Sequence, residues 1–368
     1  MSEHTIVTAF YNISDLEENH VSNRKIEDFL ELAKQFILQL PYPLVIYIDN
    51  TPSSDFIYDF IEKNRPYKDK TVVIRQSFKD TYFYKDIDRI AELQKTYDIY
   101  NGRLEHETPS YIVLNNNKFW WMEQTIASNP FSSERFIWLD FAINHVAKNT
   151  EIIHSWFPTI PEKIKQLCIN PLTETGEYKD IFQIIYHHYA GGLFSGSTEY
   201  ILKYIEAFKK TTEKIYSEDW YQMDEAVMSI VHNENPEWFD DFYGDYCGII
   251  MNYNEPLDYN YPYASWSCIY IAGDKCKENN KLEMAQKLLD YIEPSVIKQI
   301  NPIYRDFQLC YFINNSIACN YYTNNKKLKK TVLDVINIEL EKNNKHIKNI
   351  IQTNNDLEKY ENKNEING

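Results

Sequence analysis

An α/β fold with a largely parallel sheet beneath helices is predicted by three features of this 368-residue sequence. Short β-rich apolar runs alternate with helically spaced apolar stripes over the first ~250 residues, the pattern of strand–helix–strand units. Several of those runs stop on a charged residue, Asp49, Arg75 and Asp140, as strands do at a sheet rim. The composition, 43% hydrophobic and 25% charged, is that of a globular chain able to bury a sheet on both faces.

Taken in order, Thr5 to Phe10 is rich in apolar and β-branched residues and reads as a buried strand. Residues 24–39 carry Ile26, Phe29, Leu30, Ala33, Phe36 and Ile37 at helical spacing. Leu44 to Ile48 and Thr71 to Ile74 are the second and third strands, ending at Asp49 and Arg75. Tyr111 to Leu114 is β-rich and is expected to extend before a helix near 118–127. Phe136 to Leu139 is a strong strand ending at Asp140. Residues 181–189 read as another strand, closing on Gly191-Gly192, and helices are expected at about 197–213 and 219–232. From about 256 the pattern turns helical, with Leu282, Ala285, Leu288, Leu289 and Ile292 on one face. From 341 the chain is rich in Asn, Lys and Glu and reads as a disordered tail. The expected division is therefore 1–255, 256–340 and 341–368. In parallel sheets ligands bind beyond the carboxyl ends of the strands, which gathers Asp49, Arg75 and Asp140 at one rim.

Composition excludes several classes. Lys and Arg total 38 against 54 Asp and Glu, a net charge of −16, the wrong sign for a general nucleic-acid binder. Thirty tyrosines but nine glycines rule out collagen-like and low-complexity chains. The start carries no basic or apolar leader, and no apolar stretch reaches the length of a membrane span. Six cysteines without a CxxC pair read as reduced thiols. A cytoplasmic protein is expected, with peripheral membrane association left open.

Four features carry chemistry. Asp140, at the end of an apolar strand, sits where a carboxylate holds a divalent metal beside a diphosphate, although capping the next turn is the commoner role. Tyr189 to Ser197 holds three of the nine glycines, Gly191, Gly192 and Gly196, which let backbone amides approach a ligand. Asp224 and Glu225 are adjacent on a helical stretch, so they point about 100° apart and only one of them faces a given site. Residues 215–274 contain twelve Asp and Glu, no Lys or Arg, and many aromatics, among them Trp220, Tyr221, Phe239 and Phe242. Such a window is a place for a sugar to stack or, more plainly, an acidic surface over an aromatic core. Arg75, Arg89 and Lys118 are candidates for phosphate contacts. His145, His187 and His188 have no metal-motif spacing.

Read together, these segments resemble the HtrL/YibB-type, or WlaTC-like, bacterial glycosyltransferase family. The matching pieces are Thr5 to Ile13, Leu44 to Asp49, Tyr111 through Lys118, Asn129-Pro130-Phe131, Phe136 to Ile143, Gly191-Gly192, Asp224-Glu225, Pro236 to Phe239 and Tyr243 to Tyr246. They cover residues 4–255 in order. The resemblance implies a GT-A fold, a Rossmann-like mixed sheet flanked by helices, with a C-terminal helical extension. It implies transfer of a sugar from a nucleotide-diphosphate donor, most simply a UDP-sugar, to a hydroxyl of a glycan, lipid-linked glycan or protein. Thr8, Ala9, Phe10 and Tyr11 would face the nucleotide, with Asp49, Arg75 and Lys118 on the donor. Gly191, Gly192, Ser195 and Gly196 would line the donor and acceptor side. Asp140 and Asp245 would hold Mn²⁺ or Mg²⁺, and Asp224 or Glu225 would act at the anomeric carbon. The sequence departs from the fold's Asp-x-Asp signature, because Ala142 stands at the second acidic position. That departure favours an alternative: a non-catalytic nucleotide-sugar-binding or helical interaction module on a degenerate transferase fold. A metal-dependent phosphohydrolase would use the same acidic rim. Twelve of the negative charges lie beside the expected site, so an anionic donor needs a cation there.

Overall fold

Four apolar runs pair side by side to make the parallel half of the sheet: β1 (His4–Phe10), β2 (Leu44–Ile48), β3 (Thr71–Arg75) and β4 (Arg135–Leu139). The computed structural model describes residues 4–254 apart from 18–19, 23, 52, 100–102, 170–175, 186 and 245, together with positions 337 and 341. The chain divides into two compact units, Met1–Phe242 with Tyr246–Asn254 and Tyr243–Asp245 with Glu255–Gly368. The expected helical region at 256–340 and the tail at 341–368 lie outside the described residues, those two positions aside.

β2–β1–β4 and β3–β2 are parallel neighbours. β5 (Lys165–Cys168) and β6 (Tyr189–Ser197) follow, β6 running antiparallel to both β4 and β5. With β7 (Phe242–Tyr243) the order is β3-β2-β1-β4-β6-β5-β7. The mixed α/β sheet flanked by helices is the class expected.

Strand side chains alternate between faces, and that decides what covers each one. Ile6, Leu44, Ile46, Ile48, Ile137 and Leu139 share one core with helical residues. Short α1 (Ile13–Leu16) follows β1. α2 (Ile26–Gln35) contributes Leu30 and Ala33 to that core, and α3 (Ser54–Asn64) contributes Ile57 and Ile61. α4 (Ile87–Leu93) leads to the 20-residue α5 (Pro109–Ser128) on the opposite face. There Trp121 stacks on Tyr47 and Trp138, and Phe119 stacks on Phe194. Short α6 (Ile153–Trp156) and α7 (Tyr178–Ile181) precede α8 (Thr198–Ser217), which buries Ile201, Tyr204, Ile205 and Phe208 at helical spacing. α9 (Asp224–Glu234) packs on α8 and β6. No helix among the described residues is long and apolar enough to cross a membrane.

Two expectations need correcting. Tyr111 to Leu114 is helical, the second turn of α5 included. Pro109 near the N-terminus pre-sets helical φ, and Asn129 ends the helix in the left-handed region at φ 33°. The run looks strand-like because α5 is wedged between the sheet and α4 and α8, so apolar residues occupy most of its circumference. The second concerns 181–189: the strand begins at Tyr189 and contains the glycines rather than closing on them.

Candidate functional site

Parallel strands bring the ends of β1, β2, β3 and β4 to one rim. Because β6 is antiparallel, its beginning lies there too: Leu139 pairs with Leu193, and the Asp140 N–H donates to the Gly192 carbonyl at 2.9 Å. A cavity of about 330 Å³ opens at this rim. Ala9 and Phe10 line it from the end of β1 and Tyr11 from just beyond it, Tyr111 and Lys118 from α5, and Asp140, Phe141 and Ala142 from beyond the end of β4. Its aromatic walls are braced by stacking of Tyr11 on Trp121 and of Phe10 on Phe141, both at 4.9 Å.

The charged centre is Lys118. Its ammonium donates to Asp224 Oδ2 at 2.9 Å and to the Gly191 carbonyl at 3.1 Å, and lies 3.5 Å from Asp140 Oδ1. Burial alone would lower its pKa. Attraction from Asp140 and then Asp224, with the hydrogen bond to Asp224 and the charge of Glu225, outweighs that cost and raises its pKa. Asp140 is held in turn: Trp138 Nε1–H donates to its Oδ1 at 2.7 Å. Residues two apart leave the same strand face, so the Trp138-x-Asp140 spacing was a readable signal of that contact. Gly191 and Gly192 make room for this arrangement. A Cβ on Gly191 would collide with the Asp224 carboxylate, and one on Gly192 would come within 2.6 Å of Ile143 Cδ1.

Glu225 is not among the residues lining the cavity. Its Oε1 accepts the Gly191 N–H at 3.0 Å, and its Oε2 pairs with His187 Nδ1 at 2.6 Å. Burial opposes protonation of His187, but the Glu225 hydrogen bond and charge, with Asp224 and Glu107, raise its pKa above 6.5. A raised folded-state pKa means the charged pair stabilises the fold fully below the unfolded value, and the contribution fades as pH rises through the folded one. His187→Gln is therefore expected to lower the melting temperature more at pH 5.5 than at pH 9. Equal losses at both pH values would show that the pair carries no charge-dependent stability.

The sequence candidates thus separate. Ala9, Phe10, Tyr11, Lys118 and Asp140 line the cavity, and Gly191, Gly192, Asp224 and Glu225 form the shell behind Lys118. Thr8 is buried inside β1. Asp49 is a cap: its Oδ1 accepts the Phe78 N–H at 2.7 Å. Arg75 pairs with Asp55 at 2.5 Å and lies over the Tyr58 ring, and Arg89 pairs with Asp219. Ser195 and Gly196 fall on the far half of β6, Ser195 bonded to the Tyr253 hydroxyl and Gly196 beside Ile164, because antiparallel β6 carries them away from the rim. Trp220, Tyr221, Phe239 and Phe242 are buried core, so they offer no stacking surface. Asp224 is the buried counter-ion of Lys118. Sequence reasoning missed Trp138 as the partner of Asp140 and the His187–Glu225 pair.

The described residues do not build a shell for Mn²⁺ or Mg²⁺. Among them no cluster of three His, Cys, Asp or Glu side chains stands together. Asp140 supplies one carboxylate whose Oδ1 already has Trp138 and Lys118 beside it, Ala142 supplies none, and Asp245 lies outside the described residues.

Among solved structures, the chain is similar to apo mouse xyloside xylosyltransferase 1, at 11% identity and a TM-score of 0.35 over 65% of this chain and 84% of that one. None of the curated proteins matches it. A family model described as "Bacterial protein of unknown function (HtrL_YibB)" matches residues 2–253, from before β1 to the end of the unit that carries the cavity. The chain belongs to the HtrL_YibB family.

Proposed function

We propose that the protein is a glycosyltransferase that moves a sugar from a nucleotide-diphosphate donor, a UDP-sugar in the first instance, to a hydroxyl of a glycan, lipid-linked glycan or protein. The observation that carries this reading is a buried ammonium, Lys118, opening onto an aromatic-walled cavity at the carboxyl rim of the parallel strands. An aromatic wall suits a nucleobase, and a fixed cation suits the diphosphate beside it.

In the proposed reaction the bond between the anomeric carbon and the diphosphate oxygen breaks, and its electron pair leaves on the diphosphate. Lys118 stabilises the charge that develops there, and needs no reorganisation because Asp224 and Gly191 already hold it. The acceptor hydroxyl forms the new bond to the anomeric carbon and gives up its proton. Of the carboxylates around Lys118, Asp140 is the most exposed, at 39% against 2% for Asp224 and 13% for Glu225, and it lines the cavity. It is the group placed to take that proton.

A panel of nucleotide sugars and acceptors scored by nucleoside diphosphate release tests the reading. Asp140→Ala is expected to lower turnover by about 10²-fold or more, the usual worth of a proton acceptor. Unchanged turnover removes Asp140 from the mechanism. Calorimetry that detects no binding of UDP- or GDP-sugars removes the transferase reading itself.

A further inference from the structure

We propose that Lys118 is the resident cation of this site, and that the nucleotide diphosphate binds to it without a divalent metal. The inference rests on the transferase reading above and deepens it.

A protonated lysine has three N–H donors. Two of those on Lys118 are used, by Asp224 Oδ2 at 2.9 Å and the Gly191 carbonyl at 3.1 Å. Among the described residues the third has only the 3.5 Å approach to Asp140 Oδ1, beyond the length of a good charge-assisted hydrogen bond. Two donors thus anchor the ammonium and the third is left for an incoming oxygen. Lys118 lines the cavity, so a phosphoryl oxygen can take that place without breaking either anchor. Asp224, which is not among the residues lining the cavity, balances the lysine's charge within the protein.

The same geometry works against a divalent ion on Asp140 Oδ1. Trp138 Nε1–H fixes Oδ1 at 2.7 Å, on the side facing Lys118. A Mg²⁺ on that oxygen would stand about 2.1 Å from it, and so no more than about 5.6 Å from the ammonium. Two like charges would then share one carboxylate. Ala142, at the position where a second carboxylate would offset them, offers a methyl group. Lys118, from α5, itself supplies a cation beside Asp140 and Asp224.

The test is calorimetric titration of the full chain with UDP and with GDP, first in EDTA and then with added Mn²⁺. Affinity in EDTA is expected to lie within about tenfold of that with Mn²⁺, since the fixed ammonium supplies the charge-assisted contact. A gain from Mn²⁺ of more than about tenfold overturns the inference and shows that ligands beyond the described residues complete a metal shell. Absence of binding in both buffers overturns the transferase reading instead, and with it this inference. Because Lys118→Met alone strands Asp224, the double variant Lys118→Met/Asp224→Asn is used, with folding checked by circular dichroism. It is expected to lose at least about tenfold in nucleotide affinity in EDTA. Wild-type affinity in that folded double variant assigns the diphosphate to another group and overturns the inference.

Discussion

Asp224→Ala is expected to cost the fold about 3–5 kcal/mol, the loss typical of removing one partner from a buried ion pair. Asp224 and Lys118 are 2% and 8% exposed and 2.9 Å apart. Removing the carboxylate leaves a largely buried ammonium with the Gly191 carbonyl and, at 3.5 Å, the Asp140 carboxylate. Asp224 also stands in the first turn of α9, where its charge meets the positive end of the helix dipole. Guanidinium unfolding measures the loss. A companion variant separates charge from shape: Lys118→Met/Asp224→Leu replaces the pair by apolar groups and is expected to regain most of the stability. It should still fail to bind nucleotide, since the cation is gone. If Asp224→Ala unfolds within about 0.5 kcal/mol of wild type, the ammonium reaches water and the pair is not a closed one.

The strands were legible because buried parallel strands are apolar along their whole length, and runs such as Leu44–Ile48 have no other plausible home. Direction was not legible. Nothing local in Tyr189–Ser197 says that it runs against β4, and that reversal decides which of its residues reach the rim. Gly191 and Gly192 are there, while Ser195 and Gly196, quoted from the same motif, are at the other end. Helix α5 was half legible for a related reason: a helix covered on most sides loses the polar stripe by which helices are recognised.

Asp49 and Asp140 show the limit for the site. Each follows an apolar strand and each reaches the same rim, so the sequence presents them alike. What separates them is what arrives from elsewhere. Asp49 meets the backbone N–H of Phe78 and becomes a cap, while Asp140 meets Lys118 and faces a cavity. The Lys118–Asp224 pair joins residues 106 apart in the chain, and no spacing rule anticipates it. Lys118, Asp224 and Gly191 were each singled out for separate roles. Their juxtaposition, which makes one of them the counter-ion of another, exists only in the folded chain.

Arg65→Ala is expected to be comparably damaging, about 3–5 kcal/mol, for reasons unconnected with the cavity. Arg65 closes α3 and is 1% exposed. Its guanidinium donates to the carbonyls of Leu38, Leu40 and Tyr42 and, through Nε, to the Thr71 hydroxyl at 2.8 Å. These groups lie at the entrance to β2 and the start of β3, where the chain turns into the sheet. Burial pulls the arginine's pKa down to about 10, against the opposing pull of Tyr67 and Asp69, so it remains charged at neutral pH. Truncation strands three buried carbonyls at once, each worth about 1–3 kcal/mol when left without a partner, and opens a void that admits water and recovers part of the loss. Arg65→Lys should fall between the two, because a single ammonium cannot span the positions that the planar fork reaches. Below their melting temperatures both variants should bind nucleotide as wild type does, since Arg65 neither lines the cavity nor touches its residues. If Arg65→Ala melts with wild type, water replaces the guanidinium without cost, and the entrance to β2 is held by the sheet alone.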